Sequence, residues 1–179
     1  MREKVAIFID GSNFYHYLKD IGFKSAKGFD FKKFSDFLIG DRDCVFKGYY
    51  TGIFRNTDGT PKSVSLVRGQ QKFLSHLENV GFVIKRGRIM YDGGRPREKG
   101  TDVKIAVELV VDAVDNKYDT AIVISSDTDL IPALEYVRKN KKKKVEYVGF
   151  SNAPSFGMQK NADISRLLLL ADLDNFQIV

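Results

Sequence analysis

Four aspartates stand where they could do chemistry together. Asp10 closes the apolar run 5–9, Asp127 follows the apolar run 121–124, Asp129 comes two residues later, and Asp102 opens a helical segment after Lys99-Gly100-Thr101. Each has an ordinary structural role open to it. Asp10 fits an Asx turn before Gly11. Ser126 with Asp129 fits a helix cap and its capping-box acid. Asp102 fits the acid favoured in a first helical turn. Together they are harder to explain that way, because carboxylates a few ångströms apart raise one another's pKa and oppose folding. A divalent cation removes that penalty, and an all-oxygen ligand set suits Mg²⁺ or Mn²⁺. Such a centre polarises a phosphoryl oxygen and activates water for in-line attack on a phosphodiester. Asn13 and Ser126 are the neutral polar residues beside these acids, fitting either ordinary turn and cap positions or groups that orient acids and substrate.

The elements that must position these side chains follow from the hydrophobic pattern. Short runs rich in β-branched and aromatic residues at 5–9, 45–54, 82–90, 120–124 and 145–148 read as five strands, the first and fourth buried on both faces. Between them, apolar residues recur at helical spacing over 14–20, 29–39, 63–79, 101–116 and 129–139. The alternation predicts an α/β fold: a mainly parallel five-stranded sheet with helices on both faces, in one domain spanning residues 1–179. Ligands of such sheets bind beyond the carboxyl ends of the strands, where strand order reverses. If the strands ending at Asp10 and before Asp127 are neighbours, the acids meet on one edge. Residues 92–96 read as a turn-rich loop. In the tail, a short helix is expected near 156–162. Residues 167–170 serve either as core or as the surface of a homodimer.

Composition bounds the partners. The chain has 179 residues, 43% hydrophobic and 29% charged, with one cysteine and two histidines. Cys44 alone excludes an intramolecular disulfide and a Cys-rich zinc site, and points to a reducing, cytoplasmic setting. His16 and His76 are too few for a multi-histidine metal site. No apolar run approaches the roughly 20 residues that cross a bilayer, so no membrane association is expected. The net charge of +6 suits a polyanionic partner.

Ile9-Asp10-Gly11-Ser12-Asn13, Lys99-Gly100-Thr101-Asp102 and Ser125-Ser126-Asp127-Thr128-Asp129, in that order, resemble the motifs of the NYN-domain family, most closely its LabA-like branch within the PIN-like nuclease superfamily. The resemblance spans about residues 4–150. It implies a PIN-like three-layer α/β/α fold and an acidic pocket binding Mg²⁺ or Mn²⁺. It also implies cleavage of RNA, with Asp10, Asp102, Asp127 and Asp129 as metal-site acids and Asn13 and Ser126 as the polar catalytic positions beside them.

The expected function is therefore a metal-dependent ribonuclease. The alternative is a non-catalytic RNA-binding or regulatory module on the same fold. Arg86, Arg88, Arg95, Arg97 and Lys99 lead directly into Asp102 and are expected beside the pocket, as a phosphate-backbone track or as a solvated loop. Arg55, Arg68 and Lys72 are further candidates. Tyr15 or Phe14 could stack on a base, and single-stranded RNA would enter a narrow acidic pocket more easily than duplex. A haloacid-dehalogenase-type phosphohydrolase is excluded because Ser12, not an acid, stands two residues after Asp10. Phe14 breaks the pattern of a metal-dependent adhesion site.

Overall fold

Runs of Val, Ile and Phe with no polar alternation have nowhere to go but the middle of a sheet covered on both faces. The computed structural model describes residues 2–20, 28–56, 58–92 and 95–178, with the backbone alone at 91, 92 and 95–98. In it, β1 (Lys4–Asp10) is buried from Val5 onward and β5 (Thr120–Ile124) is buried throughout. Around them lie β2 (Asp43–Ile53), β3 (Val83–Asp92), β4 (Arg95–Lys99), β6 (Lys144–Phe150) and β7 (Ile164–Leu168).

The sheet runs β4-β3-β2-β1-β5-β6-β7. Six strands are parallel, and β4 pairs antiparallel with β3 at one edge. The pattern of apolar runs anticipated five of the seven. The two it missed are the edge strands. β4 (Arg-Pro-Arg-Glu-Lys) carries no apolar residue, and β7 is short and half exposed. The turn-rich loop expected at 92–96 is instead the end of β3 and the start of β4, with residues 93–94 outside the described residues.

The helices sort into two layers. Val5, Ile7 and Ile9 face α1 (Gly11–Asp20), α2 (Phe31–Ile39) and α3 (Pro61–Asn79), in a core where Phe14, Phe29, Phe31 and Phe34 pack ring to ring 5.0–5.6 Å apart. Ala6 and Phe8 face the other way, toward α4 (Thr101–Val114) and α5 (Ile131–Lys139). Two short helices, α6 (Phe156–Lys160) and α7 (Leu170–Asp174), complete the tail. Only part of the stretch 167–170 is core: Leu168 is buried, whereas Leu169 and Leu170 are both 56% exposed. Phe14 is core, and Tyr15 faces solvent.

The chain builds outward from β1 through β2, β3 and β4, then returns through α4 to place β5 on the opposite side of β1. Strand order therefore reverses between β1 and β5. Their carboxyl ends, in register at Ile9 and Ile124, open a crevice there.

Candidate active site

Asp10 and Ser125 are the next residues beyond the last β1–β5 register pair, which brings them side by side although 115 positions separate them. The Ser125 hydroxyl donates to Asp10 Oδ2 at 3.0 Å and accepts the Asp127 amide at 3.1 Å. Both Asp10 and Ser125 are buried. Asp10 Oδ1 accepts the Asn13 amide at 3.0 Å, so Asp10 caps α1. Asp127 does the same for the 3-10 turn Thr128–Leu130, its Oδ1 taking the Asp129 amide at 2.9 Å. The cap is thus Asp127 and not Ser126. That one-residue shift frees the Ser126 hydroxyl, which with its own amide donates to Asn13 Oδ1 at 3.1 and 3.2 Å. Asn13 and Ser126 hold the α1 and β5 turns together.

Asp102 arrives from the far side of the switch. Gly100 adopts φ 77°, a left-handed conformation that glycine reaches without strain, and the chain turns there from β4 into α4. Asp102 is the second residue of that helix. At the other wall, Gly11 admits the Tyr49 ring: a methyl group at Gly11 would lie 2.5 Å from Tyr49 Cε1.

The result is a cluster. Asp102, Asp127 and Asp129 each offer a carboxylate oxygen within 4.8 Å of the others, two of them half-buried and Asp129 exposed. Asp10 is not one of the three; it reaches them through Ser125. Among the described residues no lysine or arginine forms an ion pair with any of the three. The amino-terminal ends of α1, α4 and the 3-10 turn converge on the same edge, and their partial positive charge offsets some of the mutual repulsion. The donor set fits a hard divalent cation: carboxylate oxygens only, close enough to share one ion.

Ser125 is the buried hydroxyl that the residue pattern does not single out. Its only sequence signal is its place in Ser125-Ser126-Asp127, where Ser126 looks equally apt.

Arg86 and Arg88 lie on β3, and Lys99 closes β4 directly ahead of Gly100 and the first turn of α4 that carries Asp102. Arg86 lines a small cleft with Ile53, Gln70 and Leu74, on the α3 side of the sheet, whereas α4 and Asp102 stand on the other side. Arg88 has the same parity as Arg86, and the β3–β4 register sets Arg88 opposite Lys99. Positions 95 and 97 fall opposite Asp92 and Met90 in that register, but the side chains of Arg95 and Arg97 lie outside the described residues. The strand pleat sets Arg86 and Arg88 on one face of β3, and Lys99, paired with Arg88, shares it. Arg68 and Lys72 border a second cleft on α3, about 410 Å³ in volume, in the same layer as this row.

A family model, the NYN domain, matches residues 4–168. The chain belongs to the NYN domain family. NYN domains are PIN-like nucleases, so the acidic crevice of this one stands where a hydrolase of nucleic acids would work. The fold is also similar to the crystal structure of a Vibrio parahaemolyticus protein of unknown function. The TM-score is 0.72 at 23% identity, covering 99% of this chain and 97% of that one. No curated protein matches this NYN domain. No helix among its described residues is long and apolar enough to cross a membrane.

Proposed function

We propose that this NYN domain is a metal-dependent ribonuclease of the LabA-like kind, hydrolysing phosphodiester bonds of single-stranded RNA. The observation that carries the proposal is the gathering of Asp102, Asp127 and Asp129 within 4.8 Å at the switch point of the sheet. Mg²⁺ or Mn²⁺ held there supplies Lewis-acid polarisation of a phosphoryl oxygen and an activated water. The chain's own residues do the rest. Asp102, Asp127 and Asp129 bind the ion. Asp10, through Ser125, fixes the turn that carries Asp127. Asn13 and Ser126 lock α1 to that turn, so that the acids keep their spacing.

Single strands suit the rim. Tyr15 is exposed two residues past Asn13, and Phe156 is 78% exposed at the start of α6. That helix packs against the turn after Asp127: a methyl group on Gly157 would come within 3.2 Å of Thr128 and Ile131. Aromatic faces of this kind stack on unpaired bases of any sequence. Arg86, Arg88, Arg95, Arg97 and Lys99 supply the phosphate contacts along the hairpin edge. The lone, exposed Cys44 is in keeping with a reducing, cytoplasmic setting.

The test is cleavage of labelled RNA, single-stranded DNA and duplex, with Mn²⁺ or with EDTA, by the wild type and by Asp127→Asn. The expected result is Mn²⁺-dependent cleavage of single-stranded RNA that the substitution abolishes. RNA binding that persists unchanged in EDTA and in the variant, without cleavage of any substrate, would establish the non-catalytic module instead.

A further inference from the structure

Helix α4 is apolar on two opposite sides, with Lys104, Glu108 and Asp112 forming a charged flank between them. Thr101, Ile105, Leu109 and Ala113 are buried against the sheet. Val103, Val107, Val111 and Val114 are between 44% and 60% exposed. At 100° per residue these four valines fall within about 80° of one another, on the side opposite the buried row. A surface helix ordinarily turns charge to the water there, and a helix apolar on both sides is one that something covers. Val111 also borders a cleft of about 540 Å³ walled by Val45 and Phe46 together with the charged Lys85, Glu108, Asp112 and Lys117, which bounds the apolar stripe on that side.

We infer that the valine face of α4 pairs with the same face of a second copy of this chain, the two helices antiparallel about a twofold axis near Leu109. The charges beside the stripe select that occupant. Lys104 and Asp115 lie on the same flank of the valines, Lys104 about one and a half turns above the axis and Asp115 a similar distance below it. A twofold axis brings each flank against itself, so Lys104 of one copy meets Asp115 of the other, twice. In one copy Lys104 Nζ donates to the Arg86 carbonyl at 2.7 Å, with its other two protons open to a second acceptor, and the half-exposed Asp115 has a 3.4 Å contact with Lys117. Antiparallel packing also opposes the two helix dipoles. Val107 then packs on Val111 of the second copy, and Val103 on Val114. The pairing leaves the acids clear of the seam, with the two Asp102 residues at opposite ends of the helix pair. The area of one helix face and a cleft rim is small for a stable dimer, which places the dissociation constant in the micromolar range, around 10⁻⁵ M.

Sedimentation equilibrium of the whole chain, carried well above that concentration, tests the inference. The wild type is expected to form dimers, and Val107→Glu to remain monomeric. Val107 faces solvent in the single copy, so the variant keeps the wild-type circular dichroism and melting temperature. Lys104→Glu and Asp115→Lys should each weaken association roughly five- to tenfold, and the double variant should recover it, because the exchange restores both pairs. A wild type that stays monomeric at every concentration overturns the inference, whatever other protein covers the face. So does a dimer that Val107→Glu leaves intact, or a double variant no tighter than either single one.

Discussion

Ser125 shows how much of this centre is carried by a residue with no charge. Its hydroxyl spends its proton on Asp10 and its lone pair on the Asp127 amide, so one buried oxygen sets the distance between β1 and the turn bearing two of the three acids. Partners that orient metal ligands typically matter by ten- to a hundredfold. Ser125→Ala should therefore lower Mn²⁺ affinity by about that factor, while Ser126→Ala, which removes one of two donors to Asn13, should cost less; titration calorimetry of both variants distinguishes them. Equal losses would mean that Ser125 has no special place. The aspartates were legible in the sequence because each follows an apolar run or opens one. The link from Asp10 to the turn bearing Asp127 was not, since it runs through a hydroxyl 115 positions away in the chain. The capping residue was misplaced by one position for a related reason: Ser126 and Asp127 are both good caps, and only the demand of Asn13 for the Ser126 hydroxyl decides between them.

The β3–β4 hairpin poses the question of which elements meet substrate. β3 was readable from its apolar run, but β4 was not, because an edge strand of charged residues and proline carries no hydrophobic period and is built to discourage further pairing. Once β4 is a strand, register puts Arg86, Arg88 and Lys99 on one face, and that is the α3 face and not the face of α4. Phosphates bound in the crevice would reach this row by passing over the carboxyl ends of β2 and β3. If they do, binding of single-stranded RNA weakens steeply with salt, and the slope measures the contacts made. Each lost phosphate contact should reduce its magnitude by about 0.7 in a plot of log K against log salt. Arg88→Ala should produce that change in fluorescence anisotropy titrations, and Lys141→Ala should produce none. Lys141 lies in the turn before β6, at the opposite end of the sheet. Identical slopes for both variants would remove the hairpin from the interface.

The whole molecule depends on two cores separated by one sheet, and Tyr50, Tyr118 and Tyr147 are among the tyrosines buried in it or beside it. Burial first, and then the hydrogen bond to Glu108 at 2.5 Å, push the Tyr50 phenol well above its ordinary value of 10.0. Burial and the charge of Asp112 do the same for Tyr118, and burial raises Tyr147. A raised folded pKa favours the protonated phenol in the fold, so this stability is complete below pH 10 and is lost as pH climbs above it. The decline is about 1.4 kcal/mol per pH unit for each tyrosine that stays protonated. Urea unfolding from about pH 9 to about pH 11 should show this fall, and Tyr50→Phe should make it shallower. The same two-layer construction was visible in the alternation of runs, and it brings the termini of α1, α4 and the turn before α5 to one rim. The acids at that rim face the most direct test: a calorimetric titration of Mn²⁺ into the wild type and into Asp127→Asn. One ion bound per chain by the wild type, and binding lost or weakened beyond measurement in the variant, is the expected result. A wild type that takes up no Mn²⁺, or a variant that binds it equally well, would contradict a metal centre at Asp102, Asp127 and Asp129.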